Sequence, residues 1–140
     1  MDRKSKPSSY IEPIPKKELR RLIADFERIG GKVLMNDNVN AYLSVKKAEA
    51  CTLNGYTILL NSHPGRAAVY EELFHAQQFR EGKNDGSHIS VLLNEIEAQQ
   101  YLLDNKDLFE LTTKEVIQTE KALKTYQNEL ILARKEIPRK

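Results

Sequence analysis

Cysteine is nearly absent from this chain. Cys51 is the single one in 140 residues, which excludes an internal disulfide and any Cys-rich zinc site. Among apolar neighbours it reads as a small core residue. No apolar run approaches the roughly 18 residues that a membrane span needs. The opening stretch, MDRKSKPSSYIEPIP, lacks the apolar core of a secretory signal. A charge excess is missing too. There are 22 basic and 20 acidic side chains, for a net charge of +2, too balanced to indicate nucleic-acid binding. The basic residues gather towards the ends, at Lys16, Lys17, Arg20 and Arg21 and from Arg134 to Lys140, and read as solvated tails and faces. Internal repeats and low-complexity segments are also lacking. What remains is a chain 40% hydrophobic and 30% charged. It reads as soluble and globular, and as one domain with a single core.

Punctuation organises the chain. Residues 1–13 are polar and carry Pro7 and Pro13, so they read as a flexible arm or linker, and 14–137 as the domain. Leu19, Leu22, Ile23, Phe26 and Ile29 have helical spacing, and Gly30–Gly31 stops that helix. Three short runs follow, Lys32–Met35, Ala41–Val45 and Tyr56–Asn61. They are β-branched or aromatic and separated by Asn36–Asp37–Asn38 and Asn54–Gly55, so they predict about three strands of a small, largely antiparallel sheet. Pro64 suits the first position of the next helix, with His63 or Ser62 as its cap. A loop is expected at Glu81–Ser87, then a helix from His88 to Asn105 capped by Ser87. Thr112 and Glu115 form a capping box for a last helix reaching about Lys135. Its inward face would carry Val116, Leu123, Tyr126, Leu130 and Ala133. The class is α+β.

The informative stretch is RAAVYEELFHAQQFR, Arg66 to Arg80. It is apolar almost all round, so the helix it predicts is buried on several sides. A polar strip nevertheless runs through it. At about 100° per residue, Glu71, His75 and Gln78 fall on one side, with Glu72 about 60° beyond His75. Buried carboxylates and an imidazole are costly unless compensated, and a bound metal ion would compensate them. In the metalloprotease pattern H-E-x-x-H, ligands four apart share a face, and the Glu beside the first ligand takes a proton from an activated water. Glu71-Glu72-Leu73-Phe74-His75 keeps that spacing with Glu71 in the first ligand position. Glu72 is then the general base and His75 the second ligand. A third ligand is expected from the following helix. Glu95 lies between Leu92 and Leu102 on the helical wheel and faces inward. Glu97 lies nearer the edge of the apolar arc and is the alternative. Gln78 could hold a ligand from behind. Tyr70, Tyr101, His63, His88 and Arg66 are candidates by type for stabilising a developing oxyanion.

An EExxH helix followed by Asn94-Glu95-Ile96-Glu97-Ala98-Gln99 resembles the gluzincin metallopeptidases, whose third ligand is the Glu of an N-E-x-x-A/S-D motif. Gln99 stands where that motif has Asp. The alignment implies Glu95 as the ligand. The stretch ILLNSHPGRAAVYEELFHAQQFREGKNDGS with NEIEAQ is similar, more closely, to zincin-like metallopeptidase toxin domains of bacterial polymorphic toxin systems. The resemblance covers roughly Tyr56 to Leu130. It implies a zincin-like fold, a zinc ion held by Glu71, His75 and Glu95, and hydrolysis of peptide bonds in a protein or peptide substrate. It also implies a module at the C-terminal end of a larger secreted or delivered protein, neutralised by an immunity protein. Three other readings remain open. The same residues could be a hydrogen-bonded network in an inactive, protein-binding domain. The 112–135 helix could be a partner surface. Glu72, Glu95 and His75 could serve a metal-independent nuclease.

Overall fold

The computed structural model describes residues 2–4 and 11–136. Within them the chain order is β1 (Asp2–Lys4), α1 (Lys16–Arg28), β2 (Lys32–Leu34), α2 (Asp37–Lys46), β3 (Ala48–Asn54), β4 (Thr57–Leu60), α3 (Arg66–Arg80), α4 (His88–Asp104) and α5 (Thr113–Lys135). The α+β class stands. The sheet runs β1-β3-β4-β2. Its main part is β3, β4 and β2, and β1 adds to the outer edge of β3. The expected antiparallel character holds for β1–β3 and β3–β4, but β2 pairs with β4 in parallel, so the sheet is mixed.

Each element follows from local chemistry, with two corrections. The stretch 41–45, expected as a strand, lies inside α2. Asn36, expected as part of a turn, is an N-cap whose side chain accepts from the Val39 amide at 2.9 Å. Val39 and Leu43, four apart, are the residues α2 buries, while Tyr42 and Val45 stay exposed. The run has a helical period that reads as alternation over five residues. Lys47, left-handed at φ 56°, ends the helix. The second correction is β3, which lies between the runs 41–45 and 56–61, where no strand was expected. Ala48, Ala50, Cys51 and Thr52 are its buried residues, and small side chains carry little strand signal.

The β3–β4 hairpin turns at Asn54–Gly55, where Asn54 Oδ1 accepts from the Tyr56 amide at 2.8 Å. Gly55 lets α3 approach closely. A Cβ there would lie 2.6 Å from Arg80 Cγ, and Arg80 donates to the Gly55 carbonyl at 2.6 Å.

The sheet has a helix layer on each face. Ile58 and Leu60 of β4 and Ala50 of β3 point into a core shared with α1 and α3. Leu59 and Cys51 point the other way, to Val39 and Leu43 of α2. Burying side chains such as Ile58, Leu60, Leu92 and Leu102 contributes roughly 1.5–3 kcal/mol each.

Helix α3 begins at Arg66 with Gly65 as N-cap and no side-chain cap. The expected start at Pro64, capped by His63 or Ser62, is therefore displaced by two residues. Pro13 bridges Gly65, and the Ile14 amide donates to the Pro64 carbonyl at 2.8 Å, so this segment is used for pairing instead. The missing cap comes from another helix. Glu115 Oε2 of α5 accepts from the Ala67 amide at 2.7 Å, while its Oε1 accepts from Thr112 in the expected capping box. One buried carboxylate thus closes two helix N-termini. In the 1–13 stretch expected as an arm, Asp2–Lys4 is a strand and Pro13 forms the bridge, and residues 5–10 lie outside the described residues. Ser87 caps α4, accepting from the Ser90 amide at 3.1 Å.

Candidate metal centre

Helix α3 lies between the sheet and α4, so most of its surface is buried, polar strip included. Glu71, Glu72, His75 and Gln78 are each at most 1% exposed, and Glu95 of α4 is 4% exposed. Helical spacing puts Glu71 and His75 on one face. The packing of α4 then brings Glu95 to the same point. Ligand atoms of Glu71, His75 and Glu95 all lie within 4.8 Å of one another. His75 Nε2 is 2.9 Å from Glu95 Oε1 and 3.8 Å from Glu71 Oε2. The 2.9 Å approach lacks hydrogen-bond direction. His75 Nε2, both Glu95 oxygens and Glu72 Oε2 make no well-aligned hydrogen bond, although the Tyr126 hydroxyl reaches Glu95.

Such a cluster is costly in a folded interior unless its charges are compensated, and a cation at its centre would compensate them. Its electrostatics show the strain. Burial opposes the His75 imidazolium, yet Glu71 and Glu95 raise its pKa well above the usual histidine value. Burial pushes the Glu72 carboxyl up to about 8, with His75 opposing and Glu71 reinforcing the rise. One imidazole and two carboxylates are a donor set that zinc accepts. The three residues could hold a metal ion.

Four residues support this group. Thr52 Oγ1 of β3 lies 2.9 Å from both the Glu72 carbonyl oxygen and Glu72 Oε1, fixing Glu72 beside the cluster. Gln99 Nε2 of α4 donates to Glu71 Oε1 at 2.9 Å. An Asp at 99 would set another carboxylate against Glu71, so an amide donor is the matching partner for a carboxylate in that position. Gln78 Oε1 lies 2.7 Å from His75 Nδ1, and its Nε2 donates to the Asn94 carbonyl and to Glu97. Tyr126 of α5 faces the group as well. Its hydroxyl pKa is driven up by burial first and then by Glu95, with Glu71 adding to the rise.

The sequence-derived candidates separate cleanly. Glu71, Glu72, His75 and Glu95 come together, with Gln78 behind them. Glu97 lies outside the cluster. It accepts from Gln78 at 3.0 Å and from Lys83 at 3.1 Å, so the structure favours Glu95 over Glu97. The Tyr70 hydroxyl donates to Glu18 at 2.8 Å, and its ring stacks on Phe109. Burial, with help from Glu18, raises that phenol to about 12. Arg66 pairs with Glu18 at 3.2 Å. Tyr101 stacks on Phe74. His63 and His88 are exposed. The five oxyanion candidates therefore have other engagements or face solvent. Thr52 and Tyr126 were not legible as site residues. Thr52 sits on the unexpected strand, and Tyr126 has the spacing of an ordinary apolar face. Gln99 was visible only as a departure from a motif.

Fold and site together define an α+β domain with a buried carboxylate–imidazole centre able to hold a metal ion. Comparison with known proteins adds no relative: no family model, curated protein or solved structure matches the chain. No described helix is long and apolar enough to cross a membrane.

Proposed function

We propose that this chain is a zinc-dependent peptide hydrolase built on a zincin-like plan. The observation that carries the reading is the meeting of Glu71, His75 and Glu95, from two helices, with their ligand atoms buried within 4.8 Å of one another and with Glu72 beside them. A bound zinc would act as a Lewis acid, polarising the scissile carbonyl and making water more acidic. The chain's own residues supply the rest. Glu72 Oε2 is free to take the proton of the attacking water and to return it to the leaving amine. A carboxyl with a pKa near 8 in the metal-free site and an adjacent cation to lower it is suited to both transfers near neutral pH. Thr52 holds Glu72 in place, and Gln99 orients Glu71. Delivery as a toxin module with an immunity protein as partner is part of the same proposal, and its support is the EELFH and NEIEAQ resemblance.

Elemental analysis of tag-free protein tests the metal. About one equivalent of zinc is expected. Less than about a tenth of an equivalent, with no gain on adding zinc at neutral pH, rejects the metal reading. Glu72→Gln should keep zinc and lose hydrolysis of a peptide library by roughly 100-fold or more.

One observation favours a second reading. Glu72 and His75 are 0% exposed, and a substrate carbonyl must reach them. A closed, non-catalytic centre in a protein-binding domain fits that burial. It predicts zinc without turnover, or a zinc-free network, and a Glu72→Gln variant that behaves as wild type.

A further inference from the structure

Gln78 is fully buried and uses both ends of its amide. Its Nε2 donates to the Asn94 carbonyl at 2.9 Å and to Glu97 Oε1 at 3.0 Å. Neither acceptor has a proton to give. Asn94 offers a backbone oxygen, and Glu97 is a carboxylate held by Lys83 Nζ at 3.1 Å. The orientation of the amide is therefore set, with nitrogen towards α4 and oxygen towards His75. An oxygen 2.7 Å from His75 Nδ1 must accept, so Nδ1 carries the proton. In the neutral ring, Nε2 is then the lone-pair nitrogen. It is the atom facing Glu95 and Glu71, at 2.9 and 3.8 Å.

We propose that Gln78, anchored by Asn94 and by the Glu97–Lys83 pair, is a positioning residue that fixes His75 as the Nδ1–H tautomer and presents its Nε2 lone pair to a divalent cation. The proposal rests on the metal reading above. It gives Glu97 a role in place of the ligand role the packing denies it. Three consecutive contacts, His75–Gln78, Gln78–Glu97 and Glu97–Lys83, link the buried imidazole to a surface ammonium. Partners behind a metal-binding histidine select the tautomer in this way, and their removal typically weakens metal binding roughly 10–100-fold.

The test uses the whole chain and two readouts, zinc affinity by chelator competition and the His75 Nδ1–H resonance in nitrogen-15-edited NMR. Gln78→Met, nearly isosteric and without an amide, should weaken zinc binding roughly 10–100-fold and move that resonance upfield, since its acceptor is gone. Gln78→Glu keeps an oxygen against Nδ1 but sets its other oxygen against the Asn94 carbonyl, so it should retain the resonance better than Gln78→Met, which a mere space-filling role would not. If Gln78→Met does not fold, Glu97→Ala, altered at an exposed position, should move both readouts in the same direction by less. Unchanged zinc affinity and an unchanged Nδ1–H resonance in Gln78→Met, or in Glu97→Ala in its place, overturn the proposal. Wild-type protein that takes up no zinc defeats the metal reading. The ring nitrogen-15 shifts of the metal-free wild type, recorded where the imidazole is neutral, then decide the tautomer by themselves, supporting the assignment when Nδ1 carries the proton and refuting it when Nε2 does.

Discussion

Replacing Glu95 by Gln should have opposite effects on stability with and without zinc. In the metal-free protein, Glu71 and Glu95 share one imidazole, and the Glu95 oxygens make no well-aligned hydrogen bond. Removing one buried, poorly paired charge while its neighbour remains to balance His75 should be neutral or gain about 1 kcal/mol. With zinc the order reverses. A ligand present at about 100 times its Kd stabilises the native state by about 2.7 kcal/mol. For a chain of 140 residues, 1 kcal/mol moves Tm by roughly 3 °C, so wild type should gain roughly 8 °C. Glu95→Gln, deprived of one of three ligands, should gain little. Calorimetry of both proteins at neutral pH, with and without zinc, reads all four values. Two outcomes together would refute the reasoning: a metal-free Glu95→Gln that melts well below wild type, and a wild type that zinc does not move. The cluster would then be a satisfied polar network in which Glu95 is needed for its charge alone.

Gln99→Leu removes the donor to Glu71 and should weaken zinc binding roughly 10–100-fold. Gln99→Glu should weaken it further by adding a carboxylate, as measured by chelator competition. Glu115→Ala uncovers the N-termini of both α3 and α5 and should cost about 2–3 kcal/mol in urea denaturation. Glu115→Gln, which keeps an acceptor, should recover part of that loss. Hydrogen bonds from Ser87 hold the Asp85 carboxyl down at about 2, from an ordinary 3.8. Its support of the 81–87 loop is therefore present above pH 3.8 and lost as pH falls through about 2. The Ser87 amide shift, bonded to Asp85 at 2.8 Å, should stay flat to about pH 3 and titrate below it. A midpoint near 4 would refute this.

Glu71 and His75 were readable because their relation lies within one helix. Spacing of four residues places two side chains on one face whatever the helix packs against. The same holds for the Thr112–Glu115 box and for Ser87, whose caps are closed by neighbours along the chain. Short segments were less legible. Residues 41–45 alternate in hydropathy, yet the capping side chain of Asn36 and the pair Val39 and Leu43 made them a helix. Strand β3, built from small residues, had little pattern of its own and takes its structure from pairing on both edges.

The sequence by itself determined the α+β class, the buried α3 with its polar strip, and the i, i+4 placement of Glu71 and His75. All of these follow from local periodicity and capping, which act over a few residues. Only the tertiary structure decided that Glu95 and not Glu97 meets them, that α2 replaces a strand, and that Thr52, Gln99 and Tyr126 surround the centre. Those relations depend on how α4 and α5 pack and on the register of β3 beside α3. A shift of a single residue in any of these would turn a different side chain inward.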